Sequence, residues 1–387
     1  MSDSYTAFSH EEYATRLAHA RAALRDSGFD LCISLAPEHH FYLAGYDSWV
    51  GVNSPQALIF GLDDDRPTLV VRNVDLPLVH ESAWLDDVRS YHLGRDDPVG
   101  LMATVAREKG LKGGRVAMEC QSYALTYGLG NALAAALSPA EIGDATELLG
   151  ALRLIKSPAE LDYLRQAGQI AERGLVAARA AARPGMSEID LAAVAEGAMR
   201  AAGGDYWAIP TELASGPRSP GGHAAPRSRI MRSGELVHLE FAGVMARYHA
   251  VAIHTMALGQ PSARAIELYD LTRASLQAGV ASIEPGIAVS DVEEASLTPL
   301  QALGLADYAT MRFGYGVGIA YPPIWLETLQ ISRGSKQTLQ KGMVFVLHAY
   351  LSLPQEGLGI IQGGTYLLGD QGLEMLVGGG DRPLDIR

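Results

Sequence analysis

The sequence predicts an α/β (α+β) protein of two domains, a small N-terminal α/β domain over residues 1–152 and a larger domain over 153–387 made of two related αβ halves. Three observations carry this expectation. A chain of 387 residues exceeds what one ordinary hydrophobic core holds. Its first third alternates helical and strand-like periodicities. Its second part repeats one pattern at an offset of roughly 100 residues, as duplicated halves do.

The elements follow in order. Ser9 and Glu12 form an S-x-x-E capping box, and Tyr13, Leu17, Ala20 and Leu24 then recur at helical spacing until Gly28 stops the helix. The runs FDLCISL, ALIFG, TLVVRNV and GRVAMEC read as strands, and residues 99–109 as a helix between the last two. Cys32 and Cys120 both lie in apolar strand-like runs, so they are expected to be reduced core thiols.

The domain boundary falls just before Ser157. There Ser157, Pro158 and Glu160 make a second capping box with proline at the first helical position, and a long helix runs to about Ala182. The repeat begins at Arg183 and again at Glu284. Each copy has Pro-Gly, a Ser or Asp helix start, an amphipathic helix and a strand, and each follows a long helix. Pro299 predicts a kinked or shorter second helix. Two antiparallel ribbons complete the halves. LVHLEFAG pairs with HAVAIHTMAL, and MVFVLHAYLSL with GIIQGGTYLLG. Between them lies RFGYGVGIAYPPIWLE, whose glycines allow close backbone approach and whose aromatics suit a pocket.

Charge and composition narrow the function. The net charge of −13 argues against binding nucleic acid or an anionic membrane and suits a small cationic or zwitterionic substrate. Hydrophobic residues make up 48% and charged residues 19%, as in soluble globular proteins. No apolar run approaches a membrane span, and the polar, acidic N-terminal stretch predicts no secretory signal. A cytoplasmic protein is expected.

Within the first ribbon Glu240 stands out, because a buried carboxylate is costly unless paired or put to use. Arg247 is expected either to neutralise Glu240 or to bind a substrate carboxylate. With period two, His249 shares a face with Val251 and is the better site candidate, while His254 takes the other face.

The stretches SGELVHLEFAG, FGYGVGIAYPP and LQKGMVFVLHAY, with the opening helix at Lys156–Glu160, together resemble the creatinase/aminopeptidase (pita-bread, M24-type) family over nearly the whole chain. The segments GGDYWAIP, GYGVGIAYPPIWLE and YLAGYDSW are most similar to its metal-free subgroup, which includes creatinase and ectoine hydrolase. The resemblance implies a pita-bread C-terminal domain. It also implies a homodimer in which one protomer's N-terminal domain covers its partner's pocket. The family's peptidases hold two metals with two aspartates, a histidine and two glutamates. Carried over, those positions hold Glu240, Val251, Tyr315, His348 and either Gln362 or Gly363, so no metal and no cofactor is expected. The resemblance makes Glu240 a nucleophile or base and His223 a proton shuttle. Tyr315, His348, Trp325, Tyr321, Glu327, Arg247, His249, Tyr46 and Trp49 become substrate-binding candidates. The expected reaction is metal-independent hydrolysis of a C–N bond in a small cyclic amidine, guanidine or amide. The C-terminal ribbon lacks the acidic residues of the hydrolases it resembles, which leaves open a metal-free cyclase, lyase or isomerase, or a non-catalytic binding protein.

Overall fold

Ser9 accepts a hydrogen bond from the Glu12 amide and starts α1 (His10–Asp26), and Gly28, at positive φ, turns the chain into β1 (Leu31–Ser34). The structure, a computed structural model, describes residues 5–63, 66–379 and 382–387. The first four residues of the polar N-terminal stretch lie outside it. The chain divides into two units, Met1–Arg153 and Leu154–Arg387.

The first unit continues with α2 (Pro37–Ala44), β2 (Ala57–Gly61), β3 (Thr68–Arg72), α3 (Leu76–Ser82), β4 (Val88–Tyr91), α4 (Pro98–Glu108), β5 (Arg115–Met118), α5 (Tyr127–Leu137), β6 (Glu141–Asp144) and α6 (Thr146–Ala151). Its six strands make one mixed sheet in the order β4-β3-β2-β1-β5-β6. Leu31, Ile33, Val70 and Val116 from the sheet pack with Met102, Val105 and Leu133 from α4 and α5. The thiol expectation holds for Cys32, which is buried, and fails for Cys120, which is exposed. Strand β5 ends at Met118, so Cys120 stands in the following turn rather than in the core.

The second unit opens with α7 (Pro158–Ala181), whose capping box has both hydrogen bonds in place. There follow α8 (Glu188–Ala201), β7 (Glu212–Ser215), β8 (Leu236–Met245), β9 (Tyr248–Ala257), α9 (Ala263–Ala281), α10 (Val289–Gln301), β10 (Gly314–Tyr321), β11 (Ile324–Ile331), β12 (Val344–Leu353), β13 (Leu358–Gly369), β14 (Gly372–Gly378) and β15 (Asp385–Ile386). The helix-helix-strand pattern recurs in the predicted order. Its second copy departs in detail. Ser187 caps α8, whereas α10 begins after Ala288 with no side-chain cap. Pro299 lies in the last turns of α10, and that helix has 13 residues against 14 in α8.

The two ribbons join in one sheet, ordered β11-β10-β12-β13-β9-β8-β7. Helices cover one of its faces. Val237, Leu239 and Phe241 of β8 pack with Ala171, Leu175 and Met199 of α7 and α8. Phe345 and Leu347 of β12 pack with Leu276 and Val292 of α9 and α10. Gly243 permits the closest approach, since a Cβ there would lie 2.1 Å from the Ala167 carbonyl oxygen. Because strands alternate, Glu240 and His348 point to the other face. Among the described residues no helix is long and apolar enough to cross a membrane.

Candidate active site

Directly opposed residues of paired strands share a face of the sheet. The register therefore sets Glu212 beside Glu240, Glu240 beside Ile253, Ile253 beside Gly363, and Gly363 beside His348. This row crosses β7, β8, β9, β13 and β12 on the face away from the helices. Tyr315 joins that face from β10, opposite Val346.

Hydrogen bonds give the row a direction. Trp325 Nε1 donates to the Tyr315 hydroxyl at 3.1 Å, and that hydroxyl donates to Glu240 Oε1 at 2.8 Å. Burial pushes the Glu240 carboxyl above the ordinary carboxylate range, and the Tyr315 hydrogen bond partly opposes it. Burial and the facing Glu240 charge push Glu212 up as well. Burial, then the Glu240 charge, also raises the Tyr315 phenol, so it stays a donor. Among the described residues no Lys or Arg pairs with either carboxylate. Burial lowers His348 to about 3, helped by Arg312 and His223. It is thus neutral at physiological pH, and its buried Nδ1 has no hydrogen-bond partner among the described residues. A buried polar atom of this kind is an opening for a ligand.

Glu212, Glu240, Tyr315, Trp325 and His348 line a cavity of about 440 Å³ with His223, Arg312, Met311 and Ile209. The structure thus brings together five of the expected residues: Glu240, His223, Tyr315, Trp325 and His348. His223 sits on the loop after β7, whose flank is fastened by a hydrogen bond from the Leu213 amide to the Ala224 carbonyl. The Ser352 hydroxyl donates to the Pro220 carbonyl at 3.1 Å and holds the same loop to β12. Glu212 and Arg312 were missed. Glu212 is a lone carboxylate in an apolar strand, the same signal that marks Glu240. Arg312 opens the glycine-rich segment but belongs to no strand. A larger groove of about 690 Å³ runs along α7 and β14, but it is lined by Gln166, Gln169, Glu172 and Arg173 and holds none of these groups.

Four expected site residues are structural instead. Arg247 does not pair with Glu240. Its guanidinium donates to the Tyr206 and Ala320 carbonyls at 2.6 and 2.8 Å. It also lies over the Tyr206 and Tyr321 rings at 3.8 and 4.8 Å from their centroids. The reason is the turn between β8 and β9, where Ala246 and Arg247 both have positive φ and Arg247 is aimed away from the pocket. Tyr321 is buried beneath it and does not line the cavity. His249 is locked at both nitrogens. Nδ1 donates to the Arg247 carbonyl at 2.8 Å, and Nε2 accepts from the Ala208 amide at 3.0 Å. Burial, then the Arg247 charge, lowers it to about 3. Glu327 accepts from Lys156 Nζ at 2.6 Å, a buried ion pair outside the cavity lining. In the first unit, Tyr46 is buried and its hydroxyl accepts from Gln56 Nε2 at 3.2 Å. Trp49 is about half exposed, at 49%.

The residues at the family's metal positions do not fit two metal ions. Val251 is apolar, and its backbone is bridged by the Thr365 hydroxyl at 2.7 and 3.0 Å. Tyr315 spends its proton on Glu240. Gln362 faces the helices, where its Nε2 donates to the Tyr269 carbonyl at 2.9 Å. The last position on the site face is therefore Gly363, and a Cβ there would lie 2.1 Å from the Leu347 carbonyl oxygen. A hard dinuclear site needs several converging carboxylates. Among the described residues no three His, Cys, Asp or Glu side chains converge to hold a metal ion.

Known proteins share the sequence family and the fold. Residues 162–370 match metallopeptidase family M24, and residues 16–155 match the creatinase/prolidase N-terminal domain. The chain is 29% identical to ectoine hydrolase from Halomonas elongata, over 95% of this chain and 96% of that one. A prolidase from Thermococcus sibiricus has the same fold, with a TM-score of 0.88 at 21% identity over 97% of this chain and 99% of that one. The dipeptidase PepE from Mycobacterium ulcerans superposes with a TM-score of 0.83 at 26% identity, over 98% and 99% of the two chains.

Proposed function

The chain belongs to metallopeptidase family M24, a family of hydrolases with the pita-bread fold, and within it we propose a metal-independent, non-peptidase hydrolase of a C–N bond in a small cyclic amidine, guanidine or amide. One observation carries this reading: two carboxyl groups, with no partner cation among the described residues, face a cavity where the family's peptidases carry metal ligands. Such a pair attracts a delocalised cation, and each charge offsets the other's desolvation. The likeness to ectoine hydrolase supports the amidine class.

Glu240 takes a proton from water or attacks the electrophilic carbon itself, with Tyr315 holding its carboxylate in place. His223, at the cavity wall on a loop, carries protons to and from solvent. His348, neutral and with Nδ1 unused, offers the substrate a hydrogen bond. Trp325 supplies an apolar wall, and Trp49 is the candidate aromatic of the N-terminal unit for reaching a partner protomer in a homodimer. A monomer that is fully active in light-scattering conditions would remove that last role.

The test is a single-turnover assay of ectoine, related cyclic amidines, guanidines and Xaa-Pro dipeptides in isotopically labelled water, with and without a strong chelator. Chelator-insensitive turnover of an amidine or guanidine, with label entering the product, is the expected result. Dipeptide cleavage dependent on manganese or cobalt would overturn it. Turnover without label uptake would favour a cyclase, lyase or isomerase instead.

A further inference from the structure

Resting on that reading, we infer that Glu212 is the general acid of the reaction, giving its proton to the leaving nitrogen while Glu240 takes one from water. The two carboxyls stand directly opposite each other on β7 and β8 and both line the cavity. A buried carboxyl and the half-buried one facing it do not both ionise readily, so the pair keeps one proton near neutral pH. The surroundings decide which member keeps it. Glu240 accepts the Tyr315 hydroxyl hydrogen bond, itself backed by Trp325, and this stabilises its anion. Glu212 accepts no hydrogen bond among the described residues, so burial leaves it as the neutral acid. The other titratable groups lining the cavity are Tyr315 from β10, His348 from β12, His223 from the loop after β7 and Arg312 just before β10. None forms an ion pair with Glu212.

For an amidinium substrate the protons and bonds balance as follows. Water adds to the amidinium carbon, its oxygen forming the new C–O bond as the C=N π pair moves onto nitrogen, and its proton passes to Glu240. The resulting carbinol is neutral. Glu212 protonates one of its nitrogens, and that C–N bond breaks as the hydroxyl oxygen forms the carbonyl. The hydroxyl proton returns to Glu212. The proton held by Glu240 passes to the released amine, which leaves as an ammonium ion. Both carboxyls end as they began, and no oxidant, reductant or further reactant is needed.

The experiment compares wild type with Glu212→Gln, Glu212→Asp and Glu240→Gln, each checked for a single cooperative melting transition no lower than that of wild type. Infrared spectroscopy follows the carboxylic-acid carbonyl band across the pH range without any substrate. Single-turnover rates follow ectoine and a series of cyclic amidines whose leaving nitrogens differ in basicity. The band present near neutral pH should vanish in Glu212→Gln. That variant should lose at least about a hundredfold in rate. The loss should be greatest for the most basic leaving nitrogens, and the alkaline fall of the rate should disappear. Glu212→Asp should keep both the band and the alkaline fall. A band unchanged in Glu212→Gln overturns the inference, and so does a Glu212→Gln rate near wild type with the same dependence on leaving-group basicity. If wild type itself opens none of these substrates, the hydrolase reading fails, and the band shows separately whether Glu212 holds the proton.

Discussion

Glu212 and Glu240 are a directly opposed pair on adjacent antiparallel strands, and Tyr315 donates a hydrogen bond to only one of them. Like charges placed so are mutually unfavourable. A fold that keeps them together with no ion-paired cation among the described residues is storing electrostatic free energy at the place where the chemistry is proposed.

Replacing Glu240 by Gln should therefore separate catalysis from stability. The single-turnover rate should fall by at least about a hundredfold, the scale of losing a positioned acid–base group. The melting temperature should stay level or rise, because a buried charge is gone. Near-normal turnover in this variant would remove Glu240 from the chemistry.

The same pair predicts how stability varies with pH. Burial and the facing Glu240 charge raise the Glu212 carboxyl well above 4.5 in the fold. Below 4.5 folded and unfolded chains both hold this proton. Above 4.5, until the raised folded value is passed, only the folded chain holds it, so the unfolding free energy falls as pH rises through that window. Glu212→Gln should match wild type near the acid end and exceed it by on the order of 2 kcal/mol above the window, a figure discounted for partial solvent screening. Denaturant titrations at a series of pH values would show it, and parallel curves for the two proteins would contradict it.

Dialysis against a strong chelator should leave full activity. Gly363→Glu, which returns a carboxylate to the last metal position, should not create manganese binding in calorimetry. It should instead destabilise the fold by about 3 kcal/mol, since the new Cβ meets the Leu347 carbonyl oxygen. Tight manganese binding by that variant would show that the strand has room for a ligand after all.

Arg247→Met should behave oppositely to the Glu240 variant. It leaves the Tyr206 and Ala320 carbonyls without their charged donor, at a cost of about 3 kcal/mol. Turnover by the fraction that stays folded should remain near wild type. A large loss of rate with unchanged stability would return Arg247 to the site.

In the N-terminal unit, Glu119 accepts from the Ser34 hydroxyl at 2.5 Å, the Leu35 amide at 2.9 Å and His39 Nδ1 at 2.6 Å. Burial raises its carboxyl, but the bonds from His39, Ser34 and Leu35 outweigh this and hold it below 4.5. Its stabilisation is thus present above 4.5 and is lost as pH falls below that value. Glu119→Gln should cost about 3–5 kcal/mol at neutral pH, and this difference should shrink in acid. A melting temperature equal to wild type at neutral pH would contradict it.

Local pattern determined much of this protein. The caps at Ser9 and Ser157, the paired apolar ribbons and the repeated helix–strand order are short-range features, and each element stands where its periodicity placed it. The family positions also marked Glu240, Tyr315 and His348, because side-chain alternation along a strand sets which residues share a face. What the sequence did not contain was register between distant strands and the aim of side chains at turns. Only the pairing of β7 with β8 brings Glu212 against Glu240, and a lone carboxylate in a short strand carries no mark of its neighbour. Only the positive φ of the turn at Ala246 and Arg247 turns that guanidinium from the carboxylate toward two carbonyls and two rings. Only strand β13's alternation settles that Gly363, not Gln362, faces the site. These are long-range relations, fixed when the sheet closes and both halves pay the entropy of ordering together, so no window of the chain could have displayed them.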